Sequence, residues 1–180
     1  MKKLITLAVI ALTFSFTSVT AQEFSGLDKS PADIASYPSS YKIADKYVKV
    51  VYGRPQLKGR SLAELAPAGQ VWRTGANEAA EITFYTTVKF GNEMIPAGTY
   101  SLFTIPGDNE WTVIINSKLN QWGAYSYDKG ADVARVMGKV SQGSETLEAF
   151  SIAFDESNGG STMVMGWGTT RVAVPFSVPM

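Results

Sequence analysis

Arg54, Arg60 and Arg73 lie within twenty positions of one another, and Arg73 follows Trp72 and precedes Asn77, Glu78 and Glu81. A guanidinium is a planar fork of donors that matches carboxylate, phosphate or sulfate. Three on one connecting segment could form an anion cradle, or hold an acidic sugar with Trp72 stacked beside it. The competing reading is structural: the same arginines pair with Glu64, Glu78 and Glu81 and order a long loop. No glycine-rich strand-to-helix turn accompanies them, so they carry no phosphate-loop signature. A second cluster, "NSKLNQWGAYSYD", supplies Gln121, Trp122, Tyr125 and Tyr127. Exposed aromatic rings beside amides suit a sugar, with ring faces against C–H groups and polar tips for hydroxyls. The alternative is that Trp122 caps the core, since tryptophan is highly buried on average. A third chemistry is a carboxylate pair, Glu78 with Glu81 or with Asp128, which a glycosidase would hold at about 5–5.5 or 6.5–9.5 Å. The candidate ligand-binding set is therefore Arg54, Arg60, Trp72, Arg73, Asn77, Glu78, Trp122 and Tyr125, with no catalytic residue assigned.

Two absences narrow the chemistry further. The chain has no histidine and no cysteine. That excludes a Ser-His-Asp triad, a Cys-His pair, a His-ligated metal or haem, and the usual near-neutral proton shuttle. "DNE" at 108–110 and "DESN" at 155–158 do not fit the spacing of an EF-hand calcium loop and sit where hairpin turns favour Asp and Asn. No cofactor and no metal is expected. Lys plus Arg and Asp plus Glu are balanced at 16 each, unlike the basic footprint of a nucleic-acid binder.

The elements that must position these residues are read from periodicity. "MKKLITLAVIALTFSFTSVTAQ" has a basic start, a short apolar run and a small-residue site ending at Ala21, which predicts a secretory signal peptide over 1–21. The run is shorter than a membrane span requires, and without cysteine no lipid anchor is expected. The protein is thus expected to be exported, to the periplasm or the medium. Residues 22–40 read as an N-terminal arm, in which Ser30 and Pro31 suggest one helical turn or an irregular stretch. Residues 41–180 read as a single domain.

Within that domain the period is two. Val48, Val50 and Tyr52 alternate with Tyr47, Lys49 and Val51. Ile82, Phe84, Thr86, Val88 and Phe90 share one face of the longest alternation. Gly91-Asn92 and Asn158-Gly159-Gly160 mark turns, and Phe150, Ile152 and Phe154 share a face. Ser61 with Glu64 has the spacing of a capping box for one short helix. "STMVMGWG" and "TTRVAVPFSV" read as the last pair of strands, with Met163, Met165 and Trp167 as core. About eight short strands with regular turns predict an all-β fold, an antiparallel β-sandwich or jelly-roll-like barrel with short helical turns.

The runs "YGRP", "VWRTGANE", "IPAGTYSLFTIP", "EWTVIIN" and "QWGAYSYD" resemble the exported, Bacteroidetes-rich family called domain of unknown function 2911, over about residues 28 to 178. The resemblance implies export and carries no activity and no functional residue. Three functions are left to weigh. The first is a non-catalytic exported protein that binds a small anionic or carbohydrate ligand through the loop Arg and Trp residues. The second is a carboxylate-dependent glycan hydrolase, and the third a structural or assembly protein of the cell envelope. The sequence names no protein partner.

Overall fold

The computed structural model describes residues 22–156 and 161–178. The predicted signal peptide and the turn at Asn158–Gly160 lie outside the described residues. The described chain forms one nine-stranded antiparallel sheet. Its strands are β1 (Ala32–Tyr37), β2 (Val48–Gly53), β3 (Ala80–Phe84), β4 (Val88–Phe90), β5 (Glu93–Ile95), β6 (Gly98–Ile105), β7 (Glu110–Asn116), β8 (Asp132–Asp155) and β9 (Ser161–Ser177). Their order across the sheet is β1-β2-β3-β6-β7-β8-β9-β4-β5. The all-β antiparallel expectation holds, and the layers that face each other belong to a single coiled sheet.

The coiling is legible in the rings. The long alternation from Glu81 to Phe90 is one run in sequence but two strands in space. It breaks at Tyr85–Thr87; β3 then pairs with β2 and β6, and β4 with β5 and β9. Phe84 and Phe90 nevertheless meet at 5.8 Å between ring centroids, because both strands turn the same alternate face inward. Tyr37 of β1 likewise packs edge-on against Phe176 of β9, at 5.0 Å. The bending is concentrated in β8 and β9, whose register shifts between Gln142 and Leu147 and again before Ser151. Such bulges are how a strand changes direction without leaving its sheet. Beyond the shift, Pro55 and Leu57 bond to β8: Phe150 N donates to the Pro55 carbonyl and Leu57 N to the Glu148 carbonyl, both at 2.9 Å.

The core follows the predicted pattern. Val48, Val50, Tyr52, Ile82, Phe84, Val88, Phe90, Phe150, Met163, Met165 and Trp167 are all buried. The capping box is present: Ser61 Oγ accepts from Glu64 N at 3.3 Å, and Glu64 Oε2 accepts from Ser61 N at 2.7 Å, opening α1 (Leu62–Leu65). The bonds that Ser61 N and then Ser61 Oγ donate to it hold the Glu64 carboxyl below its ordinary pKa.

Three readings are corrected. Ser30-Pro31 does not open a helical turn; Ala32–Tyr37 is a strand in register with β2 from Ala32↔Gly53 to Tyr37↔Val48. A few residues cannot sustain a helix alone, whereas an adjacent strand supplies a partner for each backbone group on that side. The first half of β8, with Ala134 and Val136 turned inward, is a strand the sequence reading passed over. "STMVMGWG" and "TTRVAVPFSV" are not a pair but one strand, β9, carried through Gly168 at φ +57°.

Candidate functional site

The three arginines have separate surroundings. Arg54 is a clamp between β1 and β8: Nη1 meets Asp33 Oδ2 at 3.0 Å, Nε donates to the Phe150 carbonyl at 3.0 Å, and Nη2 to Ser151 Oγ at 2.6 Å. Arg60 closes its own loop, donating to the Leu57 and Gln56 carbonyls at 3.0 and 2.9 Å. Neither pairs with the glutamates expected of it, because Glu64 is taken by the capping box and Glu81 Oε1 accepts from Asn120 N at 3.1 Å. Arg73 differs from both. Its Nε is shut in against the protein with no acceptor, and no described residue accepts from its other nitrogens.

Trp72 is a correction too. It is not a stacking platform for a ligand, because its ring is committed to the core: stacked on Trp167 at 5.5 Å and edge-on to Phe150 at 5.0 Å and Trp111 at 6.3 Å. Its backbone is fixed as firmly, exchanging hydrogen bonds with Thr104 at 2.7 and 2.9 Å.

From Trp72 the chain runs onto the outer face of the sheet. Gly53 and Gly75 let two backbones touch there: a Cβ on Gly53 would lie 2.5 Å from the Ala76 carbonyl oxygen, and one on Gly75 would lie 3.1 Å from that of Gly53. "YGRP" and "WRTGANE" are thus packed on each other through their glycines, and Thr74 and Asn77 take positive φ to make the turn. Asn77–Ala79 then forms a short ladder with Gln121–Gly123. Ala79 N donates to the Gln121 carbonyl at 2.8 Å and Gly123 N to that of Asn77 at 2.9 Å.

The Gln121 segment belongs to a strap, residues 117–128, lying over β6 and β7. Beneath it Ala79, Phe103 and Ile114 make a second small core with Ala124 and Tyr127. Its far end is pinned by a polar lock. Tyr127 OH donates to Asp132 Oδ2 at 2.6 Å and accepts from Arg135 Nη2 at 2.5 Å, while Arg135 Nε reaches the same carboxylate at 2.7 Å. Burial, and then the bond to Asp132, push the Tyr127 hydroxyl up to about 12. A phenol so raised stays protonated and is a poor base.

Two cavities flank the ladder. The first, of about 320 Å³, gathers Asn77, Glu78 and Trp122 from the predicted set, together with Glu81, Asp28 and a floor of Val51 and Gly53. Trp122 is 64% exposed, so it does not cap the core. Three carboxylates and no Lys or Arg line this cavity. The second, of about 270 Å³, takes Trp72, Arg73 and Tyr125, with Gln70, Val71 and Ala124, and no acidic residue lines it. Arg54 and Arg60 line neither. Sequence reasoning does not reach Asp28, Ser30 and Ala32 of the first cavity, because nothing in the Ser-, Pro- and Asp-rich stretch before Tyr37 marks a strand. Among the described residues no group of three acidic side chains is placed to hold a metal ion.

The model of a family described as "Protein of unknown function (DUF2911)" matches residues 30–176. The chain belongs to that family. The match runs from just before β1 almost to the end of β9, so it takes in all nine strands and every residue lining the two cavities except Asp28. No curated protein and no solved structure matches the chain. No helix among the described residues is long and apolar enough to cross a membrane.

Proposed function

We propose that this DUF2911 protein is an exported, non-catalytic carbohydrate-binding protein whose site is the acidic cavity beside Trp122. The observation that carries the reading is the posture of Trp122. Its backbone is laddered to Asn77–Ala79, yet its ring is left in solvent on the wall of a cavity lined by carboxylates and an amide. A large exposed ring held still on a concave wall offers contact area at little entropic cost. Glu78, Glu81, Asp28 and Asn77 supply acceptors and donors for hydroxyls, and Val51 gives the floor an apolar patch. An anionic ligand is disfavoured at this cavity, since like charges placed together repel.

The test is calorimetric titration with neutral gluco-, xylo- and manno-oligosaccharides. At least one should bind, and Trp122→Ala should abolish the heat while leaving the melting temperature unchanged. Binding that survives Trp122→Ala sinks this reading. A second reading rests on Glu78 and Glu81 lining the same cavity: a glycan hydrolase that uses them as its carboxylate pair. Turnover of any of these sugars that Glu78→Gln removes would decide for the enzyme.

A further inference from the structure

We propose that the second cavity is a separate site for a carboxylate-bearing ligand, held by Arg73 and Tyr125. The argument starts from an imbalance. A buried donor without an acceptor costs about 1–3 kcal/mol, and native proteins retain few of them without a reason. Arg73 Nε is such a donor, enclosed where a guest does not reach it, and the two Nη nitrogens of the same guanidinium, which are not among the buried orphaned atoms, are the ones a guest can meet. The ion pairs among the described residues join Arg54 to Asp33, Lys118 to Asp128 and Arg135 to Asp132, and leave Arg73 out. Its cavity is lined by Gln70, Val71, Ala124 and Tyr125 and by no carboxylate, so the guanidinium has no internal counterion there. A guanidinium in a concave site with no counterion of its own is a receptor for one.

The mount is rigid. The Arg73 carbonyl accepts from Ala80 N at 3.0 Å, and the preceding Trp72 is wedged among three aromatic rings. Tyr125 lines the same cavity, is 84% exposed, and its hydroxyl has no partner among the described residues. Its ring is seated against Gly123, where an added Cβ would come within 2.7 Å of it. One cation lines the cavity, which matches a monoanion and not a phosphate dianion. The planar fork suits the two oxygens of a carboxylate. The apolar share of the wall, from Val71, Pro67 and Leu65, suits a ligand with a carbon frame behind its acid. This site stands whether or not the acidic cavity binds sugar.

The experiment titrates the protein calorimetrically with glucuronate, with tri-galacturonate, and with glucose as the uncharged counterpart. The acids should bind and glucose should not at this site. Arg73→Gln should weaken acid binding by about tenfold or more, the loss of a charge-assisted hydrogen-bonded contact. Trp122→Ala should leave acid binding unchanged, which separates this site from the one proposed above. Binding by tri-galacturonate alone would identify an acidic polymer as the source, and equal binding by glucuronate a free sugar acid. A readout on the unaltered protein guards against a variant that fails to fold: glucuronate should slow phenylglyoxal labelling at Arg73 and not at exposed Arg60, mapped by mass spectrometry. No acid binding in the millimolar range, unaltered affinity in Arg73→Gln, or equal labelling of Arg73 with and without glucuronate would overturn the proposal.

Discussion

The two cavities draw on neighbouring parts of the stretches 70–81 and 122–125, the first adding residues 28–32 and 51–53 and the second Leu65 and Pro67, and they are opposite in almost every other respect. At one, an arginine is anchored by a tryptophan sunk in the core; at the other, carboxylates surround a tryptophan left in solvent. Trp72 and Trp122 are the same residue type with different debts to the fold. Trp72 packs against three aromatic rings and positions Arg73 only as a consequence. Trp122 touches the core only through its neighbours Ala124 and Tyr127. The difference teaches that an aromatic beside a polar cluster is not by itself a binding signal. What separates the two is where each bridge leaves its ring: Trp72, bridged to Thr104, is buried, and Trp122, bridged to Glu78, is exposed.

The largest expected effect tests that contrast directly. Trp72→Ala should destabilise the protein by about 3–5 kcal/mol, the usual cost of emptying a packed aromatic site, read from urea unfolding. Trp122→Ala should change stability by less than about 0.5 kcal/mol. Equal losses in the two variants would erase the distinction between core and site tryptophan. Next in size is Gly53→Ala. Its Cβ would press on the Ala76 carbonyl at 2.5 Å, and moving backbone out of the way should cost about 1–3 kcal/mol. Gly26→Ala, with nothing within 4 Å of the added carbon, is the neutral control. Because Ala76–Ala79 wall the acidic cavity, Gly53→Ala should weaken neutral-sugar binding more than glucuronate binding. A matched loss at both sites would mean that the cavities are not separately built.

Period-two alternation was enough to read β2, β3, β4 and most of the core, because half-buried strands write burial directly into the sequence. It could not show that the run from Glu81 to Phe90 splits at Tyr85, since the inward face keeps its phase through the corner. The first half of β8 hid because its inward set includes the small Ala134 and Gly138, while Val133 and Met137 point outward and blur the alternation. The candidate site was half legible. Residue types singled out both clusters, and a ladder runs from Asn77 to Gly123 between them. The partition was not legible, because it depends on who satisfies each guanidinium. Arg54 finds Asp33, a residue assigned to an arm; Arg60 finds its own loop carbonyls; Arg73 finds nothing. No spacing rule encodes that outcome, which is set by contacts between residues as far apart as Arg54 and Phe150.

The smallest effect concerns the strap that carries Trp122 to one cavity and Tyr125 to the other. Its pin is the Tyr127 hydroxyl, pushed up to about 12 by burial and by its bond to Asp132, with Arg135 pulling the other way. A phenol in an unfolded chain ionises near pH 10. The folded state therefore favours the protonated form, and the stability this contributes is whole below about pH 10 and lost as pH rises toward 12. Tyr127→Phe keeps the ring on Phe103, which it meets edge-on at 5.2 Å, but removes the titrating group. Between about pH 8 and pH 11.5 the urea midpoint of the wild type should fall further than that of Tyr127→Phe. Tyr52, whose hydroxyl is also raised by burial, titrates in both proteins and so cancels in the difference. If loosening the pin also weakens both ligands in parallel as pH rises, the strap is the shared element of the two cavities. A pH response identical in the two proteins would show that the Tyr127 hydroxyl does not hold the strap, and the cavities would then owe their common frame to the Asn77–Gly123 ladder alone.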